Sequence, residues 1–251
     1  MTVGDILAYI DSFAPFCSQS SWDNSGLILG CTQNEVKKAL ICLDVTRASV
    51  ENAVKNGCDL IISHHPVIFK AIKSISSSSV YWTLIKNGIN VISAHTNLDK
   101  AINGVNDTLC DVLEMDYSKL PEEYGEGYMN AGVIKNISSA HQLAQYTAKK
   151  LNAAVRFIDA GEPIEKIAVC SGSGGHFYAD AKAAGCTALI TGDADHHDFL
   201  DAASAGVSLI AAGHFETEVP VTDTLFNLLT EKFLNAEFIL QPKFNSILTV
   251  I

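Results

Sequence analysis

Gly57-Cys58-Asp59-Leu60-Ile61-Ile62 is echoed by Gly185-Cys186-Thr187-Ala188-Leu189-Ile190. Further along each copy, Gly88-Ile89-Asn90-Val91-Ile92-Ser93-Ala94-His95 is echoed by Gly206-Val207-Ser208-Leu209-Ile210-Ala211-Ala212-Gly213-His214, one residue longer. A small residue, an apolar run and a polar tip recur in every α/β protein, so the strands alone would not imply duplication. Both copies, however, end in a histidine and then carry a carboxylate four residues later, Asp99 in the first and Glu218 in the second. The reading is α/β, with two related halves. Each presents a His and an acid beyond the C-terminal end of a strand, where open α/β sheets place their ligands.

Working outward, short apolar runs alternate with helical stretches over most of the chain, which implies βαβ units and mixed sheets. The runs read as strands are Gly26–Leu29, Ala39–Leu43, Asp59–Ile62, Asn90–Ser93, Gly132–Ile134, Ile167–Cys170, Ala188–Thr191 and Ser208–Ala212. An opening helix carries Ile6, Leu7, Ile10 and Phe13 at helical spacing. Further helices are expected over Arg47–Lys55 behind Thr46, and over His141–Leu151 behind Ser138 or Ser139. Residues 114 to 130 are acidic, contain Gly and Pro, and keep no periodicity. The join is placed there, giving a first half over 1–120 and a second over 121–251, packed as one unit.

The chain has 251 residues, 48% of them apolar, enough for a substantial core and too apolar for disorder. A net charge of −11 opposes the phosphate neutralisation on which nucleic-acid binding rests. Seven cysteines lie scattered without a C-x-x-C pair, an odd count that suits a reducing cytoplasm, and several sit inside apolar runs as small hydrophobes. No basic region precedes a long apolar stretch, so neither a signal peptide nor a membrane span is expected.

Five of the eight histidines follow predicted strands: His64 and His65, His95, His214, and His197 somewhat beyond Thr191. A lone histidine there is more often bonded to backbone than to metal, but this set comes with Asp99 and Glu218. Imidazoles and carboxylates together suit zinc, iron or manganese, and they outnumber the ligands of one tetrahedral ion. Two ions sharing a bridging carboxylate would use them all. His64 and His65 are adjacent, so on an extended chain they would point apart, one to each ion. Glu218 would share a helix face with His214 if a helical turn has begun there, whereas Asp99 is expected in a loop beside turn-forming Asn97 and Asn103-Gly104.

Two further loops bear on the site. Ser171-Gly172-Ser173-Gly174-Gly175 follows a strand and precedes a helical stretch, so its amides are candidates to cradle a phosphate. Thr191-Gly192-Asp193-Ala194-Asp195-His196-His197-Asp198 reads equally as a capped helix start, with Asp193 or Asp195 as N-cap, or as part of the site.

Ser21-Trp22-Asp23-Asn24-Ser25-Gly26-Leu27, Ser63-His64-His65-Pro66, His95-Thr96-Asn97-Leu98-Asp99 with Gly104-Val105-Asn106-Asp107, the 171–175 loop, Thr191-Gly192-Asp193 with His197, and Gly213-His214-Phe215-Glu216-Thr217-Glu218 together resemble the Nif-three-like family, whose members carry the name GTP cyclohydrolase 1 type 2 homolog. The resemblance implies two similar α/β halves with a dinuclear divalent-metal site between them, and a toroidal homohexamer built as a trimer of dimers. It assigns metal binding to His64, His65, Asp99, His214 and Glu218, with Glu218 bridging and His95 as an added ligand or close neighbour. The chain looks like a short form lacking the large inserted domain of many relatives. The activity implied is metal-dependent hydrolysis of a small molecule, a GTP-like nucleotide by the family's name, with His95, Asp193 or His197 moving protons. The alternative is a metal-binding assembly or regulatory protein that acts through partners and turns nothing over.

Overall fold

The computed structural model describes residues 1–242. They form two compact units, Met1–Gly104 joined by the chain from Thr222 onward, and Val105–Val221. Residues 243–251, assigned above to the second half, lie outside the described part.

The first unit runs α1 (Val3–Phe13), β1 (Gly26–Leu29), β2 (Lys38–Cys42), α2 (Arg47–Asn56), β3 (Leu60–Ser63), α3 (Val80–Lys86), β4 (Asn90–Ser93) and α4 (Thr96–Asp99). Thr2 starts α1: its hydroxyl accepts from the Asp5 amide at 3.2 Å while the Asp5 carboxylate accepts from the Thr2 amide at 2.7 Å. Thr46 and Ser49 form the same reciprocal box at the start of α2, as expected for Thr46. The sheet order is β1-β4-β3-β2-β11, where β11 is Glu237–Leu240, with β1 antiparallel to β4 and the other pairs parallel. Every residue of β3 and β4 is buried, the mark of parallel strands covered on both faces. Leu40, Ile61 and Val91 pack on one face against Val50 and Ala53 of α2 and Leu84 of α3.

The second unit contains α5 (Val105–Val112), β5 (Asp116–Lys119), β6 (Asn130–Val133), α6 (Ala140–Leu151), β7 (Arg156–Ile158), β8 (Ile167–Cys170), α7 (Tyr178–Ala183), β9 (Ala188–Thr191), α8 (His196–Ser204), β10 (Ser208–Ala211) and α9 (His214–Glu218). Then α10 (Val221–Lys232) and β11 (Glu237–Leu240) lead back to the first sheet. The second sheet has the order β5-β6-β8-β9-β10-β7, parallel at its centre and antiparallel at its flanks. Two-residue alternation divides its strands between two cores. Ile167, Val169 and Ile190 face Leu109 of α5 and Leu143 of α6, while Ala168, Cys170 and Leu189 face Ala181 of α7 and Ala202 of α8.

The repeat is structural. Gly57, Gly88, Gly185 and Gly206 each follow a helix end with φ between +66° and +77°, the left-handed turn that lets the chain stop a helix and enter a parallel strand. The eight expected strands are present within one or two residues. Three more strands, β5, β7 and β11, lie at sheet edges; β5 and β7 are mostly exposed, and β5 carries no apolar run. β5 lies in the stretch read as a join and pairs antiparallel with β6. The compact units divide at 104/105, with the chain returning to the first unit from Thr222.

No helix among the described residues is long and apolar enough to cross a membrane. Five cysteines are buried and only Cys17 and Cys31 are exposed. Burial pushes the Cys58 thiol up to about 11 and Cys110 up to about 12. Ellman's reagent should therefore titrate two thiols in the native protein and all seven in guanidinium. Rapid reaction of more than two without denaturant would contradict this packing.

Candidate metal centre

In the first unit, β2, β3 and β4 are neighbours paired in parallel, with Cys42 beside Ser63 and Ser63 beside Ser93. All three chains therefore leave the sheet at the same end, delivering Asp44, His64 with His65, and His95 to one place. The Ser63 and Ser93 hydroxyls tie the strand tips at 2.9 Å. The ring centroids of His64, His65 and His95 are 4.9 to 5.5 Å apart, and one nitrogen of each lies within 4.8 Å of the others. The expectation that His64 and His65 point apart is thus corrected. β3 ends at Ser63, so the alternation of an extended strand does not govern the two residues beyond it.

Asp99 also departs from expectation. It closes the helical turn α4, whose N-cap is His95, and its amide donates to the His95 carbonyl at 3.0 Å. That turn brings the Asp99 carboxylate to 3.6 Å from His64 Nε2. Both repeats thus use a helical turn to return an acid to the strand end.

Each imidazole is held through Nδ1. His64 Nδ1 bonds the Ala94 carbonyl, His65 Nδ1 the Asp44 carboxylate and His95 Nδ1 the Asp23 carboxylate, all at 2.8 Å. Asp23 also accepts from the Thr96 amide and hydroxyl and from Ser25 Oγ. Burial would raise its carboxyl, but these hydrogen bonds and the neighbouring imidazole outweigh it and hold the group well below the usual carboxylate range. Asp23 and Asp44 were given no role by sequence reading. The Trp22-Asp23-Asn24 motif was the available signal for Asp23, and nothing marked Asp44.

In the second unit, β9 and β10 are likewise parallel neighbours, with Thr191 beside Ala211. β9 delivers Asp193, and β10 leads into α9, where His214 and Glu218 lie one helical turn apart as expected. His214 Nε2 is 3.1 Å from Glu218 Oε2, and its Nδ1 is 2.8 Å from Asp193 Oδ2. Asp195 caps α8, with Asp198 completing the box, while His197 is exposed on the first turn with its ring 5.5 Å from that of His196.

In the 171–175 loop, the expected anion cradle, four backbone amides have partners within the protein. The amide of Ser171 donates to Asn106 Oδ1, Gly172 to Thr217 Oγ1, Gly174 to Thr191 Oγ1 and Gly175 to the Asp193 carbonyl, so four donors are already engaged by the protein. Ser173 Oγ lies 3.4 Å from His214 Nδ1. At Gly172, with φ +59°, a Cβ would stand 2.3 Å from Glu218 Oε1. The missing side chain lets Glu218 lie against the loop.

The donor chemistry fits a cation. The Ala94 carbonyl can only accept, so His64 donates through Nδ1 and turns Nε2 toward the Asp99 carboxylate 3.6 Å away. An imidazole nitrogen and a carboxylate side by side are donors that would both attract a divalent cation. Nδ1 hydrogen bonds to carboxylates or carbonyls are also how metal-binding histidines are oriented.

Gly172→Ala and Gly161→Ala both put a side chain at positive φ, but nothing lies within 4 Å of a Cβ at Gly161. Gly172→Ala should lose about 1–3 kcal/mol more in urea unfolding, the usual cost of overpacking. Equal losses would show that the Glu218 contact carries no energetic constraint.

A sequence model of the Duf34/NIF3 (NGG1p interacting factor 3) family matches residues 1–246. The chain is 33% identical to a protein of Clostridium perfringens named GTP cyclohydrolase 1 type 2 homolog, covering 97% of both. It is also 33% identical to a Helicobacter pylori protein named GTP cyclohydrolase 1 type 2, over 86% of each. Among solved structures, a Staphylococcus aureus hypothetical protein superposes with a TM-score of 0.91 at 28% identity, covering 100% of this chain and 99% of that one. A Bacillus cereus protein related to NIF3 shares the fold with a TM-score of 0.88 at 20% identity, again covering 100% of this chain and 99% of the other. By these matches the chain belongs to the Duf34/NIF3 family.

Proposed function

We propose that the protein binds two divalent metal ions per chain and uses them to hydrolyse a small molecule of the nucleotide type. The observation that carries this reading is the shared orientation of His64, His65, His95 and His214, each fixed through Nδ1 by an oxygen acceptor at 2.8 Å. The names of the relatives supply the substrate class, GTP or a similar purine nucleotide.

His64, His65, His95 and Asp99 would be the donors from the first unit, and His214 and Glu218 those from the second, with Glu218 the carboxylate on which both ions would depend. Ions held there would supply Lewis-acid activation of water, for which His, Asp and Glu donors are suited. Asp44, Asp23 and Asp193 keep the imidazoles turned. Asp193 is thereby a positioning residue in this reading and not the proton carrier expected from sequence. His95, whose Nδ1 is anchored by Asp23, is the residue best set to orient a ligand or move a proton. His197 has no part in it.

Glu218→Gln should lower bound metal, measured by plasma mass spectrometry, from about two ions per chain to one or fewer, since an amide is the poorer ligand. Unchanged metal content would remove the bridging assignment. Because protons compete with metal for imidazole nitrogens, occupancy should fall on acidification. Equilibrium dialysis showing constant occupancy down to pH 4 would rule the imidazoles out as ligands. Hydrolysis of GTP or a related nucleotide should vanish on chelation and return with added metal. Bound metal without metal-dependent turnover would instead favour the role suggested by the family's description as an interacting factor. The resemblance also extends the proposal to a ring of six copies, which light scattering would report as about six times 26.9 kDa.

A further inference from the structure

We infer that Trp22 and Phe69 form a stacking wall for the flat heteroaromatic ring of a small ligand whose reacting part reaches the imidazole cluster. The inference rests on the metal-hydrolase reading for what happens at the imidazoles, and on the first unit alone for the wall. Trp22 is 58% exposed and Phe69 47% exposed, high for rings of this size. Scattered exposed aromatics need no explanation, but these two meet edge to face at 5.9 Å, and each lies 6.2 Å from the His95 ring. Exposure rises outward along this series, from the fully buried His64 through the His95 side chain at 16% to the two open rings. The rings therefore line the approach to the cluster.

The wall is also preformed. Asn24 Nδ2 donates to the Ile68 carbonyl at 2.6 Å, joining the loop of Trp22 to that of Phe69, and Tyr81 Oη donates to the Val67 carbonyl at 3.1 Å. Beside Trp22, the Asp23 carboxylate is clamped by His95, Thr96 and Ser25. Exposed aromatics held by fixed backbone lose little entropy when a ring stacks on them. An edge-to-face pair leaves ring faces open, and a planar π-system is the occupant that gains most from such a face. The His95 imidazole 6.2 Å from each ring puts the wall next to polar, reactive groups, which favours a small ligand over a protein partner.

The chain has two tryptophans, and Trp82 lies on α3, so Trp82→Phe leaves Trp22 as the only indole. GTP, ATP and pterin would be titrated against the emission of that variant, with inorganic triphosphate and ribose 5-phosphate as probes lacking a ring. At least one aromatic probe should quench saturably, and neither non-aromatic probe should. In the otherwise native chain, Trp22→Ala should weaken that probe's Kd by about 5- to 150-fold in calorimetry, the range for loss of a stacked base, and Trp22→Phe should restore most of it. Metal per chain should be unchanged in Trp22→Ala, which separates loss of the wall from collapse of the metal centre. If the probe stacks but the protein binds no metal even when metal is supplied, the wall stands and only the hydrolase reading is removed. The inference is overturned if no aromatic probe quenches, if Trp22→Ala shifts Kd less than twofold, or if that variant changes the light-scattering mass while probe binding persists, which would make the rings a self-association surface.

Discussion

In-register pairing of adjacent parallel strands is the constraint on which the rest of this protein depends. Parallel neighbours present their C-terminal ends on the same side of a sheet, so whatever follows them is gathered without any long-range search. Ser63 beside Ser93, and Thr191 beside Ala211, set this in the two units. A slip of one residue in either pair would turn every buried side chain of an all-buried strand toward the opposite core. The register of the polar residues is therefore enforced by Ile61, Ile62, Val91 and Ile92 in the first sheet, and by Leu189, Ile190, Leu209 and Ile210 in the second, all fully buried.

Upon that frame, short helical turns do the finer placement. Gly213, with φ +92°, and the irregular backbone of His95 each convert a strand into a single turn, and that turn swings an acid back to a histidine at the strand end, Asp99 to His64 and Glu218 to His214. The acids that hold the imidazoles from behind come from elsewhere: Asp44 from the end of β2, Asp23 from the loop before β1 and Asp193 from the end of β9. Several hydrogen bonds thus fix the direction of the imidazoles, the arrangement by which metal-binding histidines are oriented. The same loops carry the open rings of Trp22 and Phe69, so that the polar anchoring of Asp23 and the apolar wall are parts of one local structure.

What the sequence by itself determined follows from burial on both faces of a strand. Interior parallel strands must be apolar throughout, so their runs, their leading glycines and the histidine and acid beyond them stand out, and the duplication with them. The edge strand β5 escaped because it is mostly exposed: Asp116-Tyr117-Ser118-Lys119 has no reason to be apolar. Tertiary structure alone decided the partners of the histidines. His95 meets Asp23 across 72 residues of chain and His65 meets Asp44 across 21, distances over which a single aspartate leaves no periodic trace. It also decided the use of the 171–175 loop. Composition suggested amides open to an anion, but whether an amide is open depends on what the fold sets against it, here Asn106, Thr191, Thr217 and the Asp193 carbonyl. Chemistry-bearing residue types were legible one by one; the pairings that orient them required the chain to be folded, because a hydrogen bond is specified by position and direction and not by residue type.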